Sequence, residues 1–148
     1  MVLRAFQKVE LPKPTLSIQP PGGKTLVNFD TIFSTDADSF RRTVHLLGRR
    51  VQLGITPVSY VWAYGDGTSE TTTGPGVEWS SGRPMSDYLV HAYEDADVTM
   101  QPRVSVAYSA RFRVGNGRWR DVSGTVTSEG TPVDLRVVEA RSVLLGTS

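Results

Sequence analysis

Arg103-Val104-Ser105-Val106-Ala107-Tyr108-Ser109-Ala110-Arg111-Phe112-Arg113-Val114 is the stretch whose reading decides the fold. Val104, Val106, Tyr108, Ala110, Phe112 and Val114 fall on one face at a spacing of two; Arg103, Ser105, Ala107, Ser109, Arg111 and Arg113 fall on the other. Period two belongs to a half-buried strand, and a helix would scatter the same apolar residues around its axis. Gly115-Asn116-Gly117 follows at once and tolerates the positive φ of a tight hairpin. The sequence therefore predicts a strand over 104–114, a hairpin turn and an antiparallel return over 118–122.

Working outward, the same alternation recurs. Val51, Leu53 and Ile55 alternate with polar or small residues up to Pro57, and Tyr60, Trp62 and Tyr64 alternate up to Gly65-Asp66-Gly67. Further strands are predicted over 88–93 and 133–140, and weaker ones over 15–18, 25–33 and 43–47. The one helical segment is Val2–Lys8, short and ahead of Pro12 and Pro14. Residues 68–84 lack a strand pattern and read as a long loop with a short hairpin around Trp79. The 14 glycines and 9 prolines punctuate short strands throughout, which points to an all-β sandwich or barrel. The expected organisation is an N-terminal extension (1–14), one sandwich domain (15–140) and a C-terminal tail (141–148).

With 148 residues the chain holds one well-buried core, and 39% hydrophobic against 21% charged residues is too apolar for disorder. Sixteen Lys plus Arg against 15 Asp plus Glu give a net charge of +1, so no general pull towards nucleic acid or membrane is expected. The absence of cysteine removes disulfides, thiol nucleophiles and thiolate metal sites. No apolar run reaches the roughly 20 residues of a membrane span, and residues 1–6 do not read as a signal peptide. Two readings of the compartment stay open: a cytoplasmic chain as it stands, or a piece of a longer precursor.

The segment Tyr60-Val61-Trp62-Ala63-Tyr64-Gly65-Asp66-Gly67 resembles the signature of the polycystic kidney disease (PKD) domain: a Trp, a spacer, an aromatic and then Gly-Asp-Gly. Val27-Asn28-Phe29-Asp30 with Ser34-Thr35-Asp36-Ala37-Asp38 resembles that family's second strand and acidic loop, and His91-Ala92-Tyr93 its His-x-Tyr element. The two aromatic motifs together are more specific than either alone. Ala63 departs from the pattern, 40–56 looks like an inserted hairpin, and 94–103 is longer than the family's turn. The resemblance implies an immunoglobulin-like β-sandwich in which Trp62 is buried between sheets and Tyr93 hands its hydroxyl to nearby backbone. It also implies a spacer or interaction module, binding protein or polysaccharide, in a longer secreted or cell-surface protein.

Chemistry-bearing residues are few. His45 and His91 lack metal-ligand spacing to one another, and no Gly-x-Ser-x-Gly elbow exists, so both histidines read as structural and no catalytic residue is expected. Asp36 with Asp38, and Asp95 with Asp97, lie in polar loops that keep carboxylates ionised, which does not suit acid–base catalysis. If calcium is bound, Asp36 and Asp38 would hold it, as some members of the resembled family do near the acidic loop; a solvated turn is the simpler expectation. No other cofactor is expected. Pro21-Gly22-Gly23-Lys24-Thr25 only superficially resembles a phosphate loop, because a strand pattern and no helix follows it. Arg111, Arg113, Arg118 and Arg120 lie on the two arms of the predicted hairpin. In the right register they form a positive ribbon for phosphate, sulfate or carboxylate on a polymer; otherwise they are a solvated face. Trp119 reads as core or as a stacking platform, and Arg41-Arg42 with Arg49-Arg50 form a second basic cluster.

Overall fold

The structure is a computed structural model and describes residues 1–139. Its elements are α1 (Val2–Lys8), β1 (Leu16–Gln19), β2 (Lys24–Leu26), β3 (Asp30–Thr35), β4 (Phe40–Leu46), β5 (Arg49–Ala63), β6 (Ser69–Thr72), a 3₁₀ turn (Met85–Asp87), β7 (Leu89–Ala92), β8 (Val98–Met100), β9 (Arg103–Val114), β10 (Arg120–Asp121), β11 (Val126–Glu129) and β12 (Leu135–Val138). The fold is all-β and sandwich-like, as the alternation predicts.

The long strands β5 and β9 pair antiparallel from Val51↔Val114 to Ala63↔Arg103 and form the spine of a six-stranded sheet. β4 and β6 share the far edge of β5, while β10 and β11 share the far edge of β9. Segments 51–55 and 60–64, read from sequence as separated at Pro57, belong mostly to one strand. Pro57 pairs with Tyr108 and Ser59 with Ala107, so Val58 is an extra residue forming a β-bulge. The bulge explains the change of phase. Val51, Leu53 and Ile55 are buried at odd positions, Tyr60, Trp62 and Tyr64 at even ones, and the inserted residue keeps all six on the core face. Pro57 is tolerated in this central strand because it lies between the paired segments of β4 and β6, where its missing N–H costs no ladder bond.

Facing that sheet are two three-stranded ones, β1-β3-β7 and β2-β12-β8, the second with β2 and β12 parallel. One buried cluster joins the layers: Leu53, Ile55, Trp62, Val104, Val106 and Tyr108 from the large sheet meet Phe33, Met100, Leu135 and Val137 from the smaller ones. Trp62 is 1% exposed, and its indole N–H donates to Thr72 Oγ1 at 2.8 Å, which ties β6 to the core. Tyr93 is fully buried and its hydroxyl donates to the Tyr64 carbonyl at 2.7 Å, the backbone contact expected of it. Gly65 ends the Trp strand at φ +89°, where a Cβ would lie 2.7 Å from the Gln101 nitrogen; only glycine fits this crossing.

Within the N-terminal extension, Phe6 of α1 is fully buried in the core, and Val2, Leu3, Val9 and Leu11 pack alongside. Several expectations are corrected. Segment 25–33 is two strands, β2 and β3, separated by Asn28 at φ 64°, a conformation asparagine tolerates. The hairpin return is only Arg120–Asp121. The loop 68–84 begins with β6, and no strand forms around Trp79. The hairpin within 40–56 is present as β4–β5, its turn made by Leu47 and Gly48, both at positive φ. Residues 140–148, which include the expected tail, lie outside the described residues.

Candidate anion-binding face

Residues opposite one another in a ladder share a face, and two rows cross the outer side of the large sheet. The first runs Arg41↔Gly54↔Arg111↔Asp121, the second Thr43↔Gln52↔Arg113. Inward neighbours such as Leu53 and Ile55 fill the core, so these rows face away from it. Gly54 lacks a side chain, and the Trp119 ring lies over the gap: a Cβ there would be 3.6 Å from the indole. The guanidinium carbons of Arg41 and Arg113 sit 5.4 and 5.1 Å from the Trp119 ring centre, within cation–π range. Arg113 Nε also donates to Gln52 Oε1 at 2.6 Å. Arg111 Nε is 3.4 Å from Asp121 Oδ1, with side chains 63% and 90% exposed, so solvent screens the pair and leaves Arg111 accessible. A cavity of about 370 Å³ opens beside them, lined among others by Arg41, Thr56, Arg111 and Trp119.

The ribbon expected from sequence is therefore rearranged. Arg111 and Arg113 lie together on the outer face. Arg120 stands opposite Phe112, on the other face, and Arg118 is an exposed residue of the turn segment with no place in either row. The third guanidinium comes from Arg41, across β5. Trp119 is half-buried on the outer face and is not part of the core. Of the second basic cluster, only Arg41 joins. Arg42 points to the opposite side, 4.5 Å from the Phe40 ring, and Arg49 and Arg50 are exposed at the start of β5. A separate cavity of about 710 Å³ lies between α1 and β4, with Arg4, Lys8 and Arg42 among its lining residues.

The histidines play different parts. His45 is exposed on β4. His91 is held firmly: Nε2 lies 2.7 Å from Asp66 Oδ2, the ring stacks on Tyr64 at 4.0 Å, and it meets Tyr93 edge-on at 4.8 Å. Asp66 also accepts from the Thr68 N–H and hydroxyl. Desolvation pushes the Asp66 pKa up, but the hydrogen bonds from Thr68 and His91 outweigh it and leave the carboxyl below its ordinary value. A depressed carboxylate is the reverse of what a general acid needs. Burial raises the Tyr64 and Tyr93 hydroxyls above the ordinary phenol value, with Glu70 adding to the rise at Tyr64 and Asp66 at Tyr93. The Gly-Asp-Gly turn and the His-x-Tyr segment thus interlock, a contact that sequence separation concealed.

Asp36 and Asp38 are exposed, as are Asp95 and Asp97, with Asp97 in a bend at φ 60°. Among the described residues, no group of three or more His, Cys, Asp or Glu is arranged to hold a metal ion. Residues 21–23 form a bend that leads into β2, as the strand pattern predicts. Among the described residues no helix is long and apolar enough to cross a membrane. Comparison of the chain with protein-family models, with curated proteins and with solved structures finds no match in any of the three.

Proposed function

We propose that this chain is a non-catalytic interaction module of a larger secreted or cell-surface protein, built on a PKD-like sandwich, and that its outer sheet face holds an acidic polysaccharide. One observation carries the reading: Arg41, Arg111 and Arg113 gather on one face around Trp119, with Arg41 and Arg111 exposed. Guanidinium forks match carboxylate and sulfate groups, and the regular strand spacing presents them to a repeating polymer. The motif resemblance through Trp62, Gly65-Asp66-Gly67 and His91-Ala92-Tyr93 supports the family and the extracellular setting.

The test is affinity electrophoresis in gels containing alginate, polygalacturonate or heparin, at several salt concentrations. Wild type should be retarded in at least one gel, less so as salt rises. Arg111→Ala/Arg113→Ala should bind about tenfold more weakly, since two charge-assisted contacts are lost. Equal binding by both proteins at matched thermal stability refutes the proposal. A second reading, a structural subunit that assembles through strand edges, draws on the outer edge of β4, with which no strand among the described residues pairs. That edge carries Arg41, Arg42 and His45, charges of the kind that blunt edge pairing. Light scattering that gives a monomer across a wide concentration range would remove it.

A further inference from the structure

We infer a second binding site, independent of the arginine face, that takes one neutral pyranose residue of a glycan between the β1–β3 sheet and the loop carrying Trp79. Leu16, Ile18 and Phe33 of these strands pack on the core, so Ser17, Gln19, Ile32 and Ser34 face outward, paired as Ser17↔Ser34 and Gln19↔Ile32. An outward face should be solvated, yet Ile32 is 7% and Ser34 only 4% exposed. The loop after β6 covers them, fastened at two points. At the first, the Thr35 N–H donates to the Pro75 carbonyl at 2.8 Å, and Gly76 comes so near that a Cβ would lie 2.5 Å from the Phe33 carbonyl oxygen. At the second, the buried Tyr88 hydroxyl accepts from the Ser80 N–H at 2.9 Å and donates to the Ser80 carbonyl at 3.0 Å.

Between the fastenings Glu78 and Trp79 roof a cavity of about 300 Å³, floored by Ser17, Gln19, Ile32 and Ser34. That volume is at the lower end of small-molecule sites, about 300–1,000 Å³, and suits a single ring. Ser34 is the telling residue. Its side chain is enclosed and its hydroxyl makes no hydrogen bond within the described residues, yet no fully buried side-chain oxygen is left unpaired, so the hydroxyl opens on this cavity. The side chains of Ser17, Gln19 and Glu78 are equally without hydrogen-bond partners among the described residues. Serine hydroxyls and the glutamine amide each donate and accept, as sugar hydroxyls do, and Glu78 adds two acceptor oxygens. Trp79, 52% exposed, supplies a flat apolar surface for the C–H face of a pyranose. No Lys or Arg lines the cavity, so the ligand is neutral, unlike that of the arginine face.

The experiment is affinity electrophoresis of the full chain in gels containing the neutral polysaccharides β-glucan, galactomannan, xylan or glycol chitin. Wild type should be retarded in at least one. Trp79→Ala should lose at least tenfold in apparent affinity and Gln19→Ala severalfold, while Trp79→Phe retains part of the binding and Arg111→Ala/Arg113→Ala retains all of it. Thermal melting of Trp79→Ala within 2 °C of wild type, expected for an exposed side chain, excludes misfolding as the cause. Absence of retardation across the whole neutral panel overturns the inference, as does full binding by Trp79→Ala. Loss of neutral binding in the double arginine variant also overturns it, by assigning both ligands to one face. Competition of an ammonium compound such as choline, in place of sugars, would show Glu78 and Trp79 to be a cation site and overturn it as well.

Discussion

Replacing Tyr93 by Phe removes one oxygen from a fully buried ring and leaves its packing in place. That oxygen donates to the Tyr64 carbonyl at 2.7 Å, the backbone group that ends the Trp62 strand just before Gly65. No other bond to that carbonyl exists among the described residues, so the substitution strands a buried acceptor. An unsatisfied buried acceptor costs about 1–3 kcal/mol, so a loss of about 2 kcal/mol is expected. For a chain of this size each kcal/mol moves the melting temperature by about 2–4 °C, which gives a drop of about 4–8 °C. Tyr108 supplies the internal control. It is nearly as buried as Tyr93, at 1% exposure, but its hydroxyl has no hydrogen-bond partner among the described residues, and it lines a further cavity together with Asp36 and Asp38. Tyr108→Phe should therefore stay within about 0.5 kcal/mol of wild type. Calorimetry of the three proteins, with urea denaturation to check two-state behaviour, decides the matter. Equal losses in the two variants, or none in Tyr93→Phe, would refute the claim that this hydroxyl fastens the strand end.

Deletion of Val58 tests the bulge: without it, Tyr60, Trp62 and Tyr64 turn to the outer face while Val51, Leu53 and Ile55 stay inside, and no cooperative melting transition should remain. A deletion variant that melts like wild type would show that the strand re-registers freely. Asp66→Asn should cost about 1–2 kcal/mol at neutral pH by weakening the contacts to Thr68 and His91. Because the folded Asp66 pKa is lowered, its contribution is present above the unfolded value of about 3.9 and lost as pH falls through the lower folded value. Urea midpoints of wild type and Asp66→Asn measured from pH 6 to pH 2 should converge at the acid end, and a constant gap would count against the assignment.

How far the sequence spoke depended on the range of the interaction involved. Strand β9 was legible because twelve residues alternate without a break, and local periodicity is a property of neighbours. Helix α1 was legible in extent but not in role, since nothing in residues 2–8 says that Phe6 enters a core formed mostly by residues far along the chain. Strand β6, Ser69-Glu70-Thr71-Thr72, carries no apolar residue; its backbone pairs with β5 from Tyr60↔Thr72 to Ala63↔Ser69, and the Trp62 N–H and Tyr64 hydroxyl bond to Thr72 and Glu70 beside that ladder. β11 was hidden in the same way, its one buried residue being a serine, Ser128, bonded to the Pro12 carbonyl.

The candidate face shows why register is the harder inference. Arg111 and Arg113 could be placed together from period two alone, but the fate of Arg118 and Arg120 turned on which residue of the return strand meets Phe112. Arg41 joins them only because β4 and β9 both pair with β5 at Gly54; a one-residue slip of β4 would put Phe40 or Arg42 there instead, and a slip of β9 would replace Arg111 by Ala110 or Phe112. Gly54 itself carries the signal that was available: a glycine inside an alternating strand marks a place where something approaches closely, and here it is the Trp119 ring. The bulge at Val58 is what makes both halves of the long strand serve one core. Upstream of it odd residues face inward and the even Gln52 and Gly54 build the arginine face; downstream the even aromatics seal the core, against which Tyr93 and, through Tyr64, the His91 lock are built. One inserted residue thereby allows a charged outer face and an aromatic inner one to share a single strand.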